Sequence, residues 1–248
     1  RAPEGVGVNQ QIEIMENLIS MKVDGIAIVP TDPVALTPYI NKAIDAGIPT
    51  ICFESDVPES KRLAFLGTYN YNAGRHLGSV VGRELNGQGT MIIATGLPTQ
   101  RSLNERIRGI QEELTANFPG VKVLDIQTGQ GDPNLTINVI ETMIQSYPNF
   151  DVFTSIDATG GPAAVAIWKS RGWTADDHMI ITFDNMEENI QGIRDGQVSS
   201  VVSQKQWLWG EMILKTLDNL INGREVPDST DTGTVEITSA NVETYMSN

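Results

Sequence analysis

Four apolar stretches of this sequence end on a carboxylate or an amide. PTICF runs into Glu54, Ser55 and Asp56, FDVFTSI into Asp157, HMIITF into Asp184 and Asn185, and VSSVVS into Gln204. Carboxylates accept hydrogen bonds and amides both accept and donate, so such groups satisfy hydroxyls or ammonium groups on a ligand. A sugar fits that description. Asp157 is followed by Ala158-Thr159-Gly160-Gly161-Pro162, a tight turn into a helix, where free N–H groups stand beside the carboxylate. Asp157 or Thr159 capping that helix is the competing reading. Arg106, in RSLNERIRGIQEEL, is the third kind of polar group, while Arg101 and Arg108 read as solvated helix arginines. Trp207 and Trp209 follow Gln204 closely, and an indole face either stacks on a pyranose or packs a helix start.

These residues need elements to carry them. Apolar runs of strand length alternate with helical patterns along almost the whole chain. The expected strands are 25–29, 49–53, 90–94, 121–126, 150–155, 178–183, 198–203 and 234–237, with a short one at LAFLGT. The expected helices are 8–21, 34–46, 72–85, 101–118, 134–147, 161–172, 186–196 and 207–222. Pro33, Pro133 and Pro162 fall near helix starts, and Gly47, Gly172 and Gly196 just past helix ends. Strict β/α alternation predicts parallel sheets with helices on both faces. The segments outnumber one modest sheet and divide near TYNYNAG (68–74), which predicts two lobes. In open parallel sheets ligands bind beyond the carboxyl ends of strands, where the polar residues above fall.

With 248 residues, the chain is long enough for two lobes of ordinary size. No apolar run reaches the ~20 residues needed to cross a bilayer. The net charge of −14 disfavours nucleic acid, whose binding needs clustered Lys and Arg. The single cysteine, Cys52, lies inside PTICF, reads as a buried thiol and forms no intrachain disulfide. Neither G-x-S-x-G nor G-x-x-x-x-G-K-[ST] is present, and GVGVNQ and GQGDPN lack the third glycine of a dinucleotide fingerprint. His76 and His178 are far apart, without partners at ligand spacing. A non-catalytic chain with no cofactor and no metal is expected.

Six segments taken together resemble the type I periplasmic binding proteins of the ribose, galactose and xylose kind, which serve ABC importers. They are VDGIAIVPTDPVAL, AGIPTICFESDVPESKRLAFLGTYNYNAGR, LNERIRGIQEEL, TSIDATGGPAAVAI, MIITFDNMEENIQGIRDGQVSSVVSQ and DTGTVEITSANV. The resemblance implies two doubly wound α/β lobes joined by a hinge. Lobe 1 would be residues 1–68 with 205–232, and lobe 2 residues 69–204 with 233–248. It implies that Glu54, Ser55 and Asp56 form a sugar-contacting loop, with Glu54 where the family usually has Asp. Arg106 matches the arginine of the family's ER-x-x-G helix, Asp184 its ligand-binding Asp, and Gln204 its Gln or Asn near the hinge. Ile156 stands where ribose binders have an asparagine, leaving Asp157 either to do that work or to serve structure. No aromatic stands near Gly131, where ribose binders stack one. The family begins with a strand, a loop and a helix before the segment matching residue 1. About 40 residues of that pattern are absent, and losing a central strand would expose sheet edges. The expectation is of an incomplete chain, or of a piece supplied elsewhere.

The implied function is capture of a monosaccharide or related polyol between the lobes for an ABC importer. The partner is a membrane permease or a sensor protein, the chain is monomeric, and the setting is periplasmic or extracellular, with or without a lipid anchor. The alternatives are a sugar-sensing extracellular module and the effector-binding core of a lactose-repressor-type regulator. The acidic charge disfavours the second.

Overall fold

The computed structural model describes residues 7–245; residues 1–6 and 246–248, included in the lobe bounds above, lie outside the described residues. In chain order the elements are α1 (Val8–Ser20), β1 (Ile26–Ile28), α2 (Pro33–Asp45), β2 (Thr50–Phe53), β3 (Phe65–Gly67), α3 (Asn70–Glu84), β4 (Gln88–Thr95), α4 (Arg101–Asn117) and β5 (Gly120–Thr128). There follow α5 (Pro133–Ser146), β6 (Val152–Ser155), α6 (Gly160–Arg171), β7 (Met179–Phe183), α7 (Glu187–Arg194), β8 (Val198–Ser203), α8 (Trp209–Ile221), β9 (Ser229–Asp231) and β10 (Val235–Ile237). Pro33 and Pro133 open α2 and α5, where Asp32 and Asp132 accept from the N–H groups of Ala35 and Leu135. Gly47, Gly172 and Gly196 take left-handed φ of 80°, 67° and 77° just past helix ends.

The chain forms two compact units. The first comprises residues up to Tyr69, Thr99–Ser102 and Lys205–Gly233; the second comprises Asn70–Pro98, Leu103–Gln204 and residues from Thr234 on. Residues 99–102 therefore group with the first unit, although the sequence places them inside an unbroken block of the second.

The first unit holds the parallel sheet β1-β2-β3-β9. The amphipathic helices α1 and α2 turn Met15, Leu36, Ile40 and Ala43 onto Ile26, Ile28 and Cys52. Strand side chains alternate in direction, so Phe53 points the other way and meets the Trp209 ring edge-on. β9 was not expected; it is short, and its sequence STD carries no apolar run.

The second unit holds a six-stranded sheet in the order β10-β8-β7-β6-β4-β5. All its pairs are parallel except β10 with β8, which is antiparallel, contrary to the all-parallel expectation. Between β8 and β10 the chain passes through α8 and β9, which belong to the first unit, so no helix laid on this sheet fixes the direction of β10. Helices α3 and α4 cover one face through Leu77, Val81, Ile110 and Leu114 against Met91, Ile93, Val152 and Phe183. Within β5 the register shifts opposite Met91 and Ile92, so Leu124 is the extra residue of a bulge.

Candidate functional site

In the second unit, β7 and β8 deliver their carboxyl-end residues side by side. Gln204 donates from Nε2 to Asp184 Oδ1 at 2.8 Å, and its Oε1 accepts from Arg106 Nη2 at 2.6 Å. The rest of the guanidinium is held as firmly. Nε donates to Asn70 Oδ1 at 2.8 Å and Nη1 to the Ile156 carbonyl at 2.8 Å, while its carbon lies 4.8 Å from the Phe183 ring centre. Arg106, Asp184 and Gln204 are all buried. The sequence thus brings together residues from α4, the ends of β7 and β8, and the start of α3.

Two glycines let α4 come close enough for this. A Cβ on Gly74 of α3 would overlap the Arg106 carbonyl, and one on Gly109 of α4 would overlap the Tyr71 carbonyl. Any larger residue at this crossing would push the helix carrying Arg106 outward.

Asp157 belongs to the same strand-end set. Its carboxylate accepts from Ser155 Oγ at 2.8 Å and Thr159 Oγ1 at 2.6 Å. Thr159 stands at the N-cap of α6 without a capping side-chain bond, because its hydroxyl is turned to Asp157. Burial pushes the Asp184 carboxyl above the ordinary aspartate range against the opposing pull of Arg106 and the Gln204 hydrogen bond, and the charge of Asp157 adds to the rise.

In the first unit, Glu54 closes β2 in a left-handed conformation with φ 62°. Its Oε2 accepts from Gln100 Nε2 at 3.0 Å and Ser102 Oγ at 3.3 Å. Ser55 is buried, and its Oγ accepts from the Ser102 N–H at 3.4 Å. Asp56 has another occupation: its two carboxylate oxygens take Arg62 Nε at 2.5 Å and Nη2 at 2.8 Å, and Oδ1 also takes the Val57 N–H. A carboxylate so engaged ties the loop at residues 56–62 together. Trp207 is half-buried, in the 3-10 turn (Gln206–Leu208) that precedes α8.

A family profile described as a periplasmic binding protein domain matches residues 2–225. The chain belongs to this family. It is 26% identical over 237 residues to the D-ribose/D-allose-binding protein of Pseudomonas aeruginosa, covering 92% of this chain and 72% of that protein. Among solved structures, an ABC transporter solute-binding protein of Burkholderia graminis in complex with D-arabinose is similar with a TM-score of 0.94 at 32% identity. The match covers 99% of this chain and 86% of that one. The sugar-binding protein of a sugar ABC transporter from Bacillus halodurans gives 0.86 at 33%, covering 97% and 86%.

Two carboxylates of this periplasmic binding protein, Glu54 and Asp184, occupy left-handed backbone at φ 62° and 67°. Lys22, Asn86, Gln130 and Lys205 share it, and the conformation is uncommon in non-glycine residues, marking turns as well as functional positions. The sequence reading missed Asn70, Phe183, Gln100 and Ser102. Only Asn70 carried a signal, as the amide of TYNYN just after the β3 run. Among the described residues no group of three His, Cys, Asp or Glu is placed to hold a metal ion.

Proposed function

We propose that this chain is the solute-binding component of an ABC sugar importer and captures a monosaccharide or related polyol without altering it. The observation that carries the reading is the buried relay Arg106–Gln204–Asp184 at the strand ends of the second unit. The relay offers a fixed donor, an amide that does both, and an acceptor, and each sugar hydroxyl both donates and accepts. Its geometry is settled beforehand by Asn70 and the Ile156 carbonyl, so little ordering remains to oppose binding. Asp157 is the further hydroxyl partner in this unit; the first unit, taken by itself, offers Glu54 and Ser55 as hydroxyl partners and Trp207 as a stacking surface. Asp56 is left out because Arg62 holds it. The names of the relatives, which include ribose, allose and arabinose binders, support an aldose, and the family supports a periplasmic or extracellular setting with a membrane permease as receiver.

The test is a thermal-shift screen with D-arabinose, D-ribose, D-fucose, D-galactose and D-xylose, followed by calorimetry. A ligand at ~100 times its Kd adds about 2.7 kcal/mol of stability. Asp184→Ala should then weaken binding by about 1.5–3 kcal/mol, the scale of a charged hydrogen bond. Unchanged affinity in that variant would remove Asp184 from the site, and silence across the panel would remove the sugars.

A further inference from the structure

Asp184 keeps its left-handed φ of 67° because both of its backbone polar groups are tied. Its N–H donates to the Val202 carbonyl at 3.1 Å, and its own carbonyl accepts from Asn189 Nδ2 at 2.8 Å. The same nitrogen lies 3.4 Å from the Phe183 carbonyl. Asn189 is fully buried in the first turn of α7. The other end of the amide, Oδ1, has no hydrogen-bond partner among the described residues and lies against Gly161 of α6, where a Cβ would come within 2.5 Å of both amide atoms. A buried amide with one end unsatisfied is costly, and the end that is engaged is the donor on the Asp184 carbonyl.

We propose that Asn189 is a positioning residue for ligand binding, an inference resting on the sugar-binding reading above. It fixes the Asp184 peptide in the left-handed setting and so keeps the carboxylate on Gln204. Gly161 supplies the space in which the amide sits. Without the donor, two carbonyls lose a partner and Asp184 relaxes toward extended backbone, swinging its carboxylate off the relay.

The experiment is titration calorimetry of wild type, Asn189→Ala, Asp184→Ala and the double variant with the aldose of the five-member panel that wild type binds most tightly, alongside urea unfolding of each. Asn189→Ala should weaken binding about tenfold, and less than about twofold when Asp184 is already alanine, because coupled residues are non-additive. Asn189→Ser, which keeps a donor, should recover part of the affinity. Loss of stability with unchanged Kd, or an equal loss of affinity in both backgrounds, overturns the proposal. Should Asn189→Ala not fold, Gly161→Ala displaces the intact amide and takes its place in the same cycle, where the same two results support or overturn the proposal. Wild type that binds no panel sugar overturns the sugar-binding reading instead, and the inference with it.

Discussion

Arg106 spends its guanidinium on three acceptors that lie in three directions, Asn70, Ile156 and Gln204. A lysine ammonium is a point charge and cannot reach all three. Arg106→Lys should therefore cost the second unit roughly 2–3 kcal/mol, as buried acceptors lose a charged donor, and should weaken sugar binding as well. Urea unfolding and calorimetry read the two losses. Asp184 gives a prediction of opposite sign. Its folded pKa is raised, so its contribution to stability is complete below the ordinary aspartate value and lost as pH rises through the folded one. Burial disfavours the charged form of this carboxyl, so neutral pH is where its cost to the folded state is felt. Asp184→Asn should raise the urea midpoint there, with the gap closing as the pH falls. A gap that widens toward acid would contradict this account. Asp184 and Gln204 were legible in the sequence because each terminates an apolar run. What claims them was not, since Arg106 finds its partners 36 positions earlier and 98 later. Nor could spacing show that Arg62, six residues on, would take Asp56.

At the scale of elements, the crossing of α3 and α4 rests on Gly74 and Gly109. Gly74→Ala sets a methyl group against the Arg106 backbone, and overpacking of this kind costs about 1–3 kcal/mol. A thermal melt should show the loss, and calorimetry should show weaker sugar binding, because the helix that moves is the one carrying the arginine. β5 is an edge strand of nine residues, long enough to invite pairing with another chain. Its bulge at Leu124 breaks the ladder, and Asp125 Oδ1 accepts from the Ile126 N–H at 2.8 Å. Asp125→Val frees that donor and removes a charge from the edge, and should promote self-association, seen as a rise in weight-average mass by sedimentation. The strands with apolar cores were readable in sequence to within two residues or so. β9 and the antiparallel direction of β10 were not, because both depend on pairing partners that lie far off in the chain.

As a whole, the molecule is two compact units threaded by one chain, and each has its own core. The alternation of strands and helices made the architecture legible. The places where the chain passes from one unit to the other have no composition of their own, and the grouping of Thr99–Ser102 with the first unit was hidden for that reason. Cys52 sits fully inside the first core, and burial pushes its thiol up to about 12. The thiolate is the reactive form, so a thiol-specific dye at mildly alkaline pH should find nothing to label while this core stays closed. Since the chain has no other sulfhydryl, colour development in dilute urea becomes a stopwatch for the opening of one core alone. Set beside tryptophan fluorescence in a Trp207→Phe, Trp209→Phe background, where only Trp168 and Trp173 of the second unit emit, it would tell whether the two halves come apart in a single event or in succession.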